Sequence, residues 1–160
     1  MNFLRRFSSC NNKLYNIDEQ KLKNFVPKIK ECKVIKVYDG DTITIAAFLK
    51  GDPECYKFKV RLNGIDSAEI KGSSENEKKH AIVARDALSD KILHQIVKLD
   101  IKGLEKYGRI LADVFYNGEN MNEWMLNNGY AVKYDGGTKK RDEKWDHELL
   151  ISRRNKNLDR

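Results

Sequence analysis

No run of about 18 apolar residues occurs in the 160-residue chain, so no segment reads as a membrane-spanning helix. Cysteine is scarce. Cys10, Cys32 and Cys55 are odd in number, widely spaced and never part of a C-x-x-C pair, which argues against a zinc site and a disulfide framework. A reducing, intracellular and most simply cytoplasmic compartment is the expectation. His80, His94 and His147 are scattered and read as surface or capping residues, not metal ligands. Only Pro27 and Pro53 interrupt the chain, and no repeat or low-complexity segment is visible. The opening "MNFLRRFSSC" is too short in apolar length for a secretory signal. Its arginines and serines leave an organelle-targeting peptide as the alternative to a plain basic arm.

Charge is what the chain has in excess. Lysine and arginine number 31 against 24 acidic residues, a net +7, which favours a polyanionic partner although solubility alone also accounts for it. Residues 1–30 hold seven basic and two acidic residues without sustained periodicity, so they read as an arm. A short helix around "DEQKLKNFV" is expected there, bounded by Pro27. The domain proper is expected over 31–160, as a monomer.

From Glu31 the apolar period is two. "CKVIKVY", "TITIAAFL" and "YKFKVRLNGI" alternate, separated by "DGD" and "KGDPEC", and predict an antiparallel meander. Residues 76–96 predict a helix, with Ala81, Ala84, Leu88, Ile92 and Ile96 three and four apart. "VKLDIKG" and "RILADVFY" return to alternation, and "NGEN" at 117–120 is a hairpin signal. "MNEWMLNNG" predicts a short helix stopped by Gly129, and residues 139–155 a final helix burying Trp145, Leu149 and Leu150. Five short strands with a helix after the third suit an α+β domain. A small closed barrel of the OB-fold type with about three α-helices leads, although composition does not exclude another α+β arrangement.

Four polar clusters interrupt this pattern. In "DGDT", Asp39 and Gly40 suit a turn, while Asp41 is poorly suited to a strand start and presents an oxygen suited to a cation. The stretch is not an EF-hand: counted from Asp39, position 5 is Ile43 and position 12 is Lys50. In "VRLNGIDSAE", Arg61 sits within a strand and Asp66 and Glu69 follow just past Gly64. A solvated ion pair at the strand end explains these three as well as chemistry does. "EKYGR" places Arg109 after a glycine, with Tyr107 beside it. The fourth cluster is the "YDGGTKKR" loop from Tyr134. Two arginines at separate strand ends suit a forked clamp on a phosphate, and the hard oxygens of Asp41, Asp66 and Glu69 suit calcium or magnesium over zinc. Periodicity does not show whether Asp41 and Asp66 meet.

Together these motifs resemble the staphylococcal nuclease (thermonuclease) family from about Cys32 to about Arg154. "DGDT" at 39–42, "RLNGIDSAE" at 61–69, "KYGR" at 106–109 and "NEWMLNNG" at 122–129 stand in the family's order. The resemblance implies a five-stranded OB-type barrel with three helices. It also implies a calcium-dependent phosphodiesterase acting on DNA and RNA with little sequence preference and leaving 3′-phosphate ends. Carried over by position, Asp41 and Asp66 would ligate calcium through carboxylates and Ser67 through its carbonyl. Glu69 would be the general-base candidate, Arg61 and Arg109 would hold the scissile phosphate, and Lys106, Tyr107 and Tyr134 would line the nucleotide site. Three departures stand out. "DSAE" replaces D-T-P-E, so Ala68 lacks proline's fixed φ. Tyr134 alone stands where the family pairs stacking tyrosines, and the terminal tryptophan is missing. The alternative is a non-catalytic nucleic-acid-binding barrel. It has no use for three acids that repel a phosphate backbone unless a cation covers them.

Overall fold

The computed structural model describes residues 13–71 and 74–137. Strand β1 spans Glu31–Val37, β2 Thr42–Phe48, β3 Cys55–Leu62, β4 Ile65–Asp66, β5 Ile96–Leu104, β6 Ile110–Tyr116, β7 Glu119–Asn120 and β8 Val132–Lys133. Helix α1 spans Glu75–Ile92 and α2 Met121–Asn127. The order β3-β2-β1-β5-β6 closes on itself because β3 also pairs with β6, in parallel. The result is a closed five-stranded barrel of the OB-fold type with α1 inserted after the third strand.

The alternation read from the sequence is what fills this barrel. Val34, Ile43, Ile45, Val60, Leu62, Val97, Ala112 and Val114 all point inward and are buried. A bulge between Val34 and Lys36 shifts the phase of β1, which is why Val37 follows Val34 into the core. Ser74 caps α1 by accepting the Glu77 N–H at 3.1 Å, and the helix lays Ala81, Ala84, Leu88 and Ile92 on the core. Asn120 caps α2, and buried Asn122 ties that helix down. Its Oδ1 accepts from Val114 N at 3.0 Å and its Nδ2 donates to Asn63 O at 2.8 Å.

The turns follow their glycines. Gly129 ends α2 at φ 71°, and Asn117 and Gly118, at φ 49° and 83°, close the β6–β7 hairpin. Three expectations need correction. α1 stops at Ile92, not 96: His94 takes φ 64°, and Val34 bonds both His94 and Gln95, drawing Ile96 into β5 beside β1. His80 is buried on α1 and is no surface residue. Around "DEQKLKNFV" only a 3-10 turn forms, Glu19–Lys21, because its residues bury nothing and an unpacked short helix is marginal. The helix expected over 139–155 lies outside the described residues.

Candidate active site

Barrel closure does what sequence spacing leaves open. Thr42 at the start of β2 pairs with Arg61 near the end of β3. Arg61 in turn pairs with Leu111, two residues after Arg109, at the start of β6. Three strand ends therefore converge, and the last barrel turn brings Asp41, Arg61 and Arg109 to one rim. The short β4–β8 ladder adds the fourth side. It pairs Asp66 with Val132, and Tyr134 N donates to Gly64 O at 3.0 Å.

At the centre stands Arg61, buried between two buried carboxylates. Its Nη1 is 2.7 Å from Asp41 Oδ2 and its Nη2 donates to Asp66 Oδ1 at 2.8 Å. Nη1 is close to Asp41 but not aimed at it; among the described residues this buried donor has no aligned acceptor. Tyr134 covers the guanidinium, its ring centroid 5.8 Å from Arg61 Cζ. Asp41 is held from three sides. Its own N–H donates to Asp39 Oδ1 at 3.1 Å, Ser67 N donates to its Oδ2 at 2.9 Å, and the Thr42 hydroxyl donates to its Oδ1 at 2.9 Å.

Arg109 reaches the same group through Thr42. Its Nη1 donates to Thr42 Oγ1 at 3.2 Å, so Thr42 relays between the second arginine and Asp41. Glu105 fixes the other side: its Oε1 accepts from Arg109 Nε at 3.0 Å, Arg109 N at 3.2 Å and Tyr107 N at 2.9 Å. Burial alone would raise the Glu105 carboxyl, but the Arg109 hydrogen bonds and charge outweigh it and hold the group below its usual range. Gly108, at φ 78°, makes the tight turn that lets Arg109 fold back onto Glu105. Lys106 and Tyr107 sit exposed on this turn, with Lys106 Nζ 5.0 Å from the Tyr107 ring.

Thr42 and Glu105 belong to the cluster through their contacts with Asp41 and Arg109, and neither stands out in the sequence. The threonine alternates like any strand residue, and the glutamate precedes "KYGR" without a spacing that distinguishes it from a surface charge. The expected Asp39–Gly40 turn forms, with Tyr38 N donating to Thr42 O at 2.9 Å, and Gly40 is not among the positive-φ glycines of the described residues. Glycine is required by space: a Cβ would stand 2.8 Å from Ser67 Cβ and 2.9 Å from Ala84 Cβ. Gly40→Ala is therefore expected to destabilise by about 1–3 kcal/mol, through overpacking of the 66–69 loop against α1. Urea unfolding measures this, and an unchanged midpoint would contradict it.

Ala68 explains how the loop manages without proline. It is 2% exposed and packs with Ala81 of α1 and with Ile70 and Val132, so side-chain contact anchors the chain leading to exposed Glu69. Among the described residues, no three His, Cys, Asp or Glu side chains gather as a metal cage, so Glu69 does not join Asp41 and Asp66 in one. The two aspartates still suit a hard cation in donor type and charge. Two buried carboxylates against one buried guanidinium leave a negative excess. Beside them, burial first and then the Asp41 charge push the Asp39 carboxyl up to about 7.

The family model for staphylococcal nuclease homologues matches residues 59–156. An uncharacterized endonuclease of Haemophilus influenzae is 37% identical over 103 residues, covering 64% of this chain and 52% of that protein. A staphylococcal-like nuclease of Arabidopsis thaliana is 33% identical over 98 residues, 61% of this chain and 28% of its own length. The thermonuclease of Staphylococcus hyicus is 32% identical over 101 residues, 62% of this chain and 56% of that enzyme. The chain thus spans about half or less of these relatives.

Proposed function

The chain belongs to the staphylococcal nuclease homologue family, and from that premise we propose that it is a calcium-dependent nuclease hydrolysing phosphodiester bonds of DNA and RNA with little sequence preference. The observation that carries the reading is the rim cluster itself, in which barrel closure brings Arg61 and Arg109 from two strands together beside buried Asp41 and Asp66. Two guanidiniums so held are preorganised for an oxyanion that arrives with the substrate.

In this reading Arg61 and Arg109 grip the scissile phosphate from two strand ends. Their positive charge is fixed before reaction, as a phosphorane-like transition state that gains negative charge requires. Asp41, Asp66 and the Ser67 carbonyl are the residues that would hold calcium, as hard oxygen donors suited to it. A calcium ion bound there supplies Lewis-acid polarisation and further charge neutralisation. Glu69, exposed on its anchored loop, takes the proton of the attacking water. The 5′-oxygen leaves in line, giving 3′-phosphate ends. Tyr134, Tyr107 and Lys106 border the nucleotide.

Glu69→Gln separates chemistry from binding. It should slow cleavage of a labelled oligonucleotide by 10²–10⁴-fold, the usual worth of a general base, with little change in Kd. Weakened binding with unchanged turnover would instead make Glu69 a structural residue.

A further inference from the structure

The outward face of the barrel beside this site carries a lattice of lysines. Strand register places Lys36 opposite Thr44 and Thr44 opposite Lys59; one step further, Lys33 stands opposite Ala46 and Ala46 opposite Lys57. Directly opposed residues share a face, so all four lysines point the same way, with two small side chains between them. The intervening Val34–Ile45 and Ile43–Val60 pairs point into the core, which fixes that face as the outside. All four lysines are exposed, and none makes an ion pair among the described residues.

This lattice continues the candidate site. Arg61, Lys59 and Lys57 alternate on one side of β3, each about 6.6 Å from the next, the two lysines exposed and Arg61 buried in the rim cluster at the end of the row. That spacing is close to the distance between successive phosphates along an extended nucleic-acid strand. Lys36 and Lys33 run alongside, two strands away, roughly 10 Å across the Thr44–Ala46 floor. Aromatics stand at both ends: Phe48 is 65% exposed just past Ala46, and Tyr38 is 47% exposed beyond Lys36. Glu31, at the start of β1, is the one acid on this side of β1–β3, so the four lysines leave a positive excess that a polyanion neutralises. Cations in rows with sequence-tolerant aromatic platforms are what a single strand requires.

We propose that the outer face of β1–β3 is an accessory track for single-stranded nucleic acid, with Lys59 and Lys57 engaging the phosphates next to the one held by Arg61. The proposal rests on the nuclease reading for the identity of the reacting end. The track itself is defined by the lysines.

The test compares wild-type full-length protein with a Lys57→Gln, Lys59→Gln variant on a dinucleotide and on a labelled oligodeoxythymidylate long enough to pass Lys57. Dinucleotide cleavage should be unchanged. Affinity for the oligonucleotide should fall about tenfold at low salt, and its log–log salt dependence should become less steep by about 1.4, or 0.7 for each lost contact. Unchanged affinity and salt slope, with cleavage intact, would overturn the track and leave the nuclease reading standing. Lysine-dependent oligonucleotide binding by a wild-type protein that cleaves neither substrate would keep the track and remove the nuclease reading. Loss of sedimentation with phosphatidylserine vesicles, with oligonucleotide binding unaffected, would assign the face to membranes and overturn the proposal.

Discussion

Arg109→Ala is expected to lower turnover by two to three orders of magnitude while leaving the fold intact, the usual loss when one preorganised transition-state donor is removed. The guanidinium is held at two nitrogens before any substrate arrives, by Thr42 at 3.2 Å and Glu105 at 3.0 Å. Burial works against its charge, but Glu105, Asp41 and Asp39 more than offset it and keep the group protonated throughout the working pH range. Arg109→Lys should recover only part of the loss. A single ammonium does not reproduce the planar fork that reaches Thr42, Glu105 and a phosphate together. Steady-state kinetics on an oligonucleotide measures both variants, and near-normal turnover for the alanine form would refute the role given to Arg109.

Arg61→Ala should damage stability as well as activity. Its side chain is 8% exposed and stands between Asp41 and Asp66, which are 7% and 6% exposed. Removing it takes away the guanidinium that both buried carboxylates contact, a loss of about 3–5 kcal/mol for a broken buried ion-pair network. Calcium should restore part of that stability in the variant, because a cation held by the two carboxylates takes over the balancing charge. Urea unfolding with calcium and with chelator reads both effects. A loss below about 1 kcal/mol would mean that the ion pairs are solvated and the site is not the closed cluster described here.

Much of the barrel was legible in the sequence because period-two alternation and glycine-marked turns are local signals. Gly64, Gly108, Gly118 and Gly129 all take the positive φ that their turn or cap requires. The parallel β3–β6 pairing was not legible, since nothing in the local pattern of either strand specifies a partner some 50 residues away. Yet that pairing unites Arg61 with Arg109. Both arginines and both aspartates stand in local motifs, but nothing local brings them together. Thr42 and Glu105 carry no local signal, because their contacts exist only once Arg109 has folded back across the rim. Ile96 continues a helical spacing that the turn at His94 has already ended. At Gly40 the missing information was the close approach of α1, a contact between elements that no dipeptide preference encodes.

The most direct measurement is cleavage itself. Purified protein is incubated with single-stranded and duplex DNA and RNA in calcium, in magnesium and in chelator, and the fragment ends are identified. Calcium-dependent degradation leaving 3′-phosphates is the predicted result. Salt-sensitive binding without cleavage under any metal would contradict it, and would make the arginine-centred rim a binding site without chemistry.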